Sequence, residues 1–193
     1  MIATRSLSTK KMTVIGMLGA ISIVLGMTPL GFIPIGPTKA TIMHIPVIIG
    51  AILEGPLVGA AIGLIFGIFS LIQSITSPTP VSFVFWNPLV SIVPRILIGL
   101  VSYYAYSGIK NIIKNETISV ALTGAIGTLT NTIGVLSMIY LLYGVKFVEA
   151  IGADINSVGK IILGIGITNG IPEIIVAILI VTGVMRGLKL IKK

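Results

Sequence analysis

One arginine stands in the run NPLVSIVPRILIGLVSYY (87–104), and no other charged residue lies between Glu54 and Lys110. Asn87, Ser91 and Arg95 follow one another at i, i+4 and i+8, which on a continuous helix puts all three on one face. A guanidinium inside a bilayer costs about 2.5 kcal/mol or more, so it must face a partner, water or a ligand. The chemistry it offers is two-pronged binding of a carboxylate or similar acceptor. Glu173 is the one acidic residue inside a predicted span, and it shares a helix face with Asn169 one turn earlier. Two readings follow: an internal Arg95–Glu173 ion pair that fixes helix packing, or an Arg95 that binds a substrate carboxylate while Glu173 orients it.

Other polar residues fit the same outer half of the chain. Asn131 lies in GTLTNTIG beside Gly124, Gly127 and Gly134, where helices approach closely enough for an amide to bond across them or meet a ligand. His44 and Lys39 flank the start of a short apolar segment; each is read as a ligand contact or an interfacial side chain. Trp86, with Phe83 and Phe85, stands just before the fourth segment, at an aromatic belt or against a ligand. On the first segment Gly16, Gly19 and Ala20 form a small-residue surface on which another helix can dock.

The elements that carry these residues must be membrane helices. The chain of 193 residues is 55% hydrophobic and 9% charged, with a mean hydropathy of +1.13, far from the balance of a water-soluble domain. About 20 apolar residues cross a bilayer, and the uncharged runs predict a single all-α transmembrane domain over 1–193 with six spans. These are 11–30, 41–54, 57–76, 88–107, 117–143 and 160–186. The second is short, and Glu54, Gly55 and Pro56 read as a tight turn into the third. The basic N-terminal flank resembles a secretory signal, but Met12 to Thr38 is uncharged, too long for one, so a retained first helix is expected.

Charge sets the orientation. Nine Lys or Arg fall at the two ends and in the loop with Lys110 and Lys114, against Lys39, Lys146 and Lys160 on the other side. The positive-inside rule then makes both termini cytoplasmic. The connections 31–41, 74–88 and 143–160 are long and rich in Pro, Gly and Ser, which suits binding surfaces or lids.

Several function classes are excluded or weakened. The chain has no cysteine and one histidine, so no thiolate or multi-histidine metal centre is expected. It has no G-x-x-x-x-G-K-[ST], H-E-x-x-H or G-x-S-x-G motif, so it is read as neither an ATPase nor an intramembrane enzyme. The basic residues cluster as topology signals rather than as a nucleic-acid face. A self-sufficient secondary transporter with an Arg95/Glu173 relay stays open, although no repeat relates the two halves.

The segments ATIMHIPVIIGAILEGPLVGAAIGLIFGIFSLI (40–72), SFVFWNPLVSIVPRILIGLVSYY (82–104) and TNGIPEIIVAIL (168–179) resemble the substrate-binding S component of an energy-coupling factor (ECF) transporter. Within that family IMHIPVIIGAI and VPRILIG look most like the pantothenate type; hydroxymethylpyrimidine, cobalamin, folate and riboflavin types are the alternatives. The resemblance implies a vitamin held near the outer face of a plasma-membrane protein, among the fourth, fifth and sixth helices. It also implies a transmembrane T component and two cytoplasmic ATPases as partners, with ATP hydrolysed there and no cofactor in this chain. The family's Ala-x-x-x-Ala docking motif corresponds here to Gly16-Met-Leu-Gly-Ala20, which departs from it while keeping the surface small.

Overall fold

The computed structural model describes residues 8–35 and 38–191. Its helices are α1 (Thr9–Met27), α2 (Ile45–Glu54), α3 (Pro56–Thr76), α4 (Pro88–Ser91), α5 (Val93–Ile112), α6 (Glu116–Ala150) and α7 (Val158–Ile191). Five segments are long and apolar enough to cross a membrane, with α4 and α5 counted together as Pro88–Ile112. The bundle is thus all-α, with one small addition. Between α1 and α2 the chain pairs β1 (Phe32–Ile35) with β2 (Thr38–Thr41) as an antiparallel hairpin, Phe32 opposite Thr41.

α2 is the axis of the molecule. Every residue from Ile45 to Ile52 is buried, so the helix is apolar all round, as a helix enclosed by others must be. At 10 residues it is about 15 Å long, roughly half the hydrocarbon thickness. The hairpin takes up the path of the chain at the N-terminal end of α2. On the other side Gly55, with φ of 100°, makes the turn that Pro56 converts into the start of α3.

Antiparallel packing brings the helix ends together. Lys10 at the start of α1 pairs with Glu54 at the end of α2 at 2.5 Å, and Glu116 at the start of α6 pairs with Lys189 near the end of α7 at 2.5 Å. The first turn of α1 and the last turn of α7 therefore lie at the same end of the bundle as the α5–α6 loop. Arg5, Lys192 and Lys193 lie outside the described residues.

α6 and α7 run further than the hydropathy predicts. The stretch 143–160, expected as a long loop, is helical except around 151–157. Phe147 and Val148 explain the extension: both are buried in an outer apolar cluster with Val84, Val90 and Ile139. The turn comes only at Gly152, with φ of 70°. A second cluster surrounds α2 and includes Ile48, Ile62, Phe66 and Ile98. Between the two clusters the packing opens.

Candidate functional site

The site begins with a proline. Pro94 has no N–H, so the Val90 carbonyl loses its helical donor, and the helix breaks at Ile92 between α4 and α5. The Arg95 side chain runs back toward its own N-terminus, and its Nη1 donates to that freed carbonyl at 2.7 Å. The guanidinium carbon also lies 5.4 Å from the Phe66 ring centroid and 5.6 Å from that of Phe85, within cation–π range of both. Arg95 is 6% exposed, and its Nε is buried without a partner.

α3 sets how close this group comes to the core. Gly59, Gly63 and Gly67 form a stripe at i, i+4 and i+8 along α3. A Cβ on Gly63 would strike the Arg95 carbonyl, and one on Gly67 would meet Ile92 Cα at 2.8 Å. The two backbones touch because nothing stands between them.

Arg95 opens on two adjoining cavities of about 360 and 310 Å³, which share Arg95, Asn131 and Phe85 in their walls. Each falls within the size of small-molecule sites. The larger lobe is lined by Thr41, Ser70, Gln73 and Ser82 among others. The smaller joins Asn169 and Glu173 to an apolar wall that includes Val135, Ile139, Phe147 and Ile165. Asn131 lines both lobes and Asn169 the smaller, and the side-chain oxygen of each is buried without a hydrogen-bond partner.

Glu173 does not pair with Arg95: among the described residues no Arg95–Glu173 contact reaches salt-bridge distance. Instead Oε1 accepts from the Thr41 backbone N–H at 2.8 Å and from Thr41 Oγ1 at 2.9 Å, while Oε2 receives Thr132 Oγ1 at 3.4 Å. The carboxylate is therefore tied to the end of the hairpin, and both ionic groups keep a face toward the smaller lobe.

The other predicted residues divide. Asn87 and Ser91 leave the cavity because the helix break rotates them away from Arg95. Asn87 caps α4 and donates to Tyr143 Oη at 3.3 Å, and Ser91 Oγ donates to the Asn87 carbonyl at 3.1 Å. Trp86 is 54% exposed and donates to the Ser74 carbonyl at 3.2 Å, while its neighbour Phe85 turns inward. His44 is fully buried beneath the site with Nε2 at 3.0 Å from Thr128 Oγ1. The Thr128 hydroxyl donates to the Gly124 carbonyl, so its oxygen accepts from the imidazole N–H. The Lys39 side chain lies outside the described residues. On α1, Gly19 is buried against Ile65, whereas Gly16 has open space where a Cβ would stand and Ala20 faces outward.

Thr41, Thr132 and Phe66 were not singled out as contacts by residue type and spacing, whereas Phe85 was one of three aromatics read as belt or ligand contact. Phe85 had a signal, since it precedes the Asn87–Pro88 helix start in an aromatic run; Thr41 and Thr132 had none, because threonine is common in apolar helices and strands.

Comparison with known proteins agrees with this architecture. The family described as "ECF transporter, substrate-specific component" matches residues 10–185. The chain is 31% identical over 166 residues to the pantothenic acid transporter PanT of Lactococcus lactis, covering 79% of this chain and 79% of that protein. It is 33% identical over 165 residues to the pantothenate transporter PanT of Leuconostoc mesenteroides, covering 83% of this chain and 79% of that protein.

Proposed function

Since the chain belongs to the substrate-specific components of ECF transporters, multi-pass proteins of the plasma membrane, we propose that it binds pantothenate for import. Named relatives that transport this vitamin support the reading. The observation that carries it is Arg95, a buried guanidinium lining a cavity of matching size. Pantothenate has one carboxylate for Arg95, and an amide and hydroxyls for Asn131, Asn169 and Glu173. Its paired methyl groups suit the wall of Val135, Ile139 and Ile165.

In this reading the α1 start, the α7 end and the α5–α6 loop face the cytoplasm, as their basic residues require, and the cavity opens toward the outside. Transport is driven by ATP hydrolysed on two ATPase subunits, reached through a T component that docks on α1 at Gly16 and Ala20.

Calorimetry on the purified chain tests the substrate. Pantothenate is expected to bind, and pantothenol, in which an alcohol replaces the carboxylate, is expected to bind far more weakly. Binding of hydroxymethylpyrimidine, cobalamin, folate or riboflavin, with none of pantothenate, would overturn the assignment.

A further inference from the structure

A site built only to capture an anion gains nothing from a carboxylate in its wall, yet Glu173 stands there. Among the described residues Arg95 is the one cation lining either lobe and Glu173 the one anion. A bound carboxylate takes up the Arg95 charge. Any second anionic group on the ligand would then be buried beside a like charge and, among the described residues, without a counter-ion.

The geometry at Glu173 gives its end of the lobe a defined preference. Three groups donate to the carboxylate, two of them on Oε1, the arrangement of an acceptor-only ionised group. Oε2 has a single contact, long at 3.4 Å, and so keeps capacity to accept from a ligand hydroxyl or amide N–H. Asn169, which also lines this lobe, has an oxygen without a partner.

We propose that Glu173 is a charge filter: the site selects a monoanion whose far end carries neutral hydrogen-bond donors, and rejects the same molecule once that end is phosphorylated. Specificity of this kind comes from repulsion of the wrong ligand as much as from attraction of the right one. The inference rests on the pantothenate reading and adds to it the exclusion of the vitamin's phosphate ester.

Calorimetry with three ligands tests it on the unaltered protein: pantothenate, its 4′-phosphate, and its 4′-acetate ester, which adds bulk without charge. The expected order of affinity is pantothenate, acetate ester, phosphate. The isosteric Glu173→Gln variant is expected to weaken pantothenate, whose hydrogen bond to Oε2 it softens, less than it strengthens the phosphate, narrowing the pantothenate-to-phosphate ratio by about tenfold or more, because charge changes while shape does not. An unchanged ratio in Glu173→Gln would overturn the filter, as would an acetate ester rejected as strongly as the phosphate. Should Glu173→Gln lose pantothenate too, the ester–phosphate comparison on the unaltered protein decides. If the unaltered protein binds no pantothenate, the underlying reading falls and the filter falls with it.

Discussion

Arg95 owes its position to its neighbour. Pro94 frees the Val90 carbonyl, and the guanidinium fills the place of the missing N–H. One prong is thereby fixed by backbone and the remaining donors are left for a ligand. Arg95→Ala is expected to weaken carboxylate binding by about 2–5 kcal/mol with the fold intact; calorimetry beside a thermal melt checks both halves. Arg95→Lys should recover only part of the loss, because one ammonium cannot serve the Val90 carbonyl and a planar carboxylate as a fork does. The need of Arg95 for a partner was legible from its isolation among apolar residues. The stripe with Asn87 and Ser91 was not, because i, i+4 spacing assumes a continuous helix and VPR interrupts it. Which of the aromatics read as belt or ligand contact turns inward was not legible for a related reason: residues 82–86 form a 3-10 turn, whose faces differ from those of an α-helix.

The elements that hold Arg95 depend on the glycine stripe of α3. Adding a Cβ at Gly63 drives it into the Arg95 carbonyl, and at Gly99 into the Gly59 backbone, and backbone cannot yield as a flexible side chain can. Gly63→Ala should therefore cost about 1–3 kcal/mol and lower ligand affinity as Arg95 is displaced. Gly16→Ala has nothing within 4 Å of the new carbon and should leave both unchanged. Equal melting temperatures for the two variants would show that the stripe is not under close-packing constraint. Hydropathy marked the short α2 as the second span, 41–54; the helix runs only from Ile45 to Glu54, shorter than the five segments long enough to cross. It missed the hairpin, since Pro34, Gly36 and Pro37 read as irregular loop and the pairing of Phe32 with Thr41 is anchored from elsewhere, by Glu173 in α7. It also stopped α6 early, because Lys146 and Glu149 ended the apolar count while Phe147 and Val148 were still needed by their apolar cluster with Val84.

On the scale of the whole molecule, the paired helix ends make the sidedness a single choice, and basic residues decide it. The chain contains no cysteine, so an introduced one reports without a background. In intact cells Asn156→Cys, exposed between α6 and α7, should react with an impermeant maleimide, and Lys114→Cys, exposed between α5 and α6, only after permeabilisation. The reverse pattern would invert the protein and put the cavity on the cytoplasmic side. Orientation in turn separates the two tasks proposed for the chain. The two cavities lie among α3, α5, α6 and α7, while the small residues of α1 that face outward, Gly16 and Ala20, touch neither of them. A leucine at Gly16 adds bulk to the outer surface of α1 alone, which should bar close approach by a partner helix without reaching Arg95. Gly16→Leu is therefore expected to bind pantothenate as the unaltered protein does and yet to fail in ATP-dependent uptake when reconstituted with its T component and ATPases. Uptake at the normal rate would remove α1 from the docking surface, and uptake by the chain alone, without partners or ATP, would replace the ECF mechanism with a self-sufficient one.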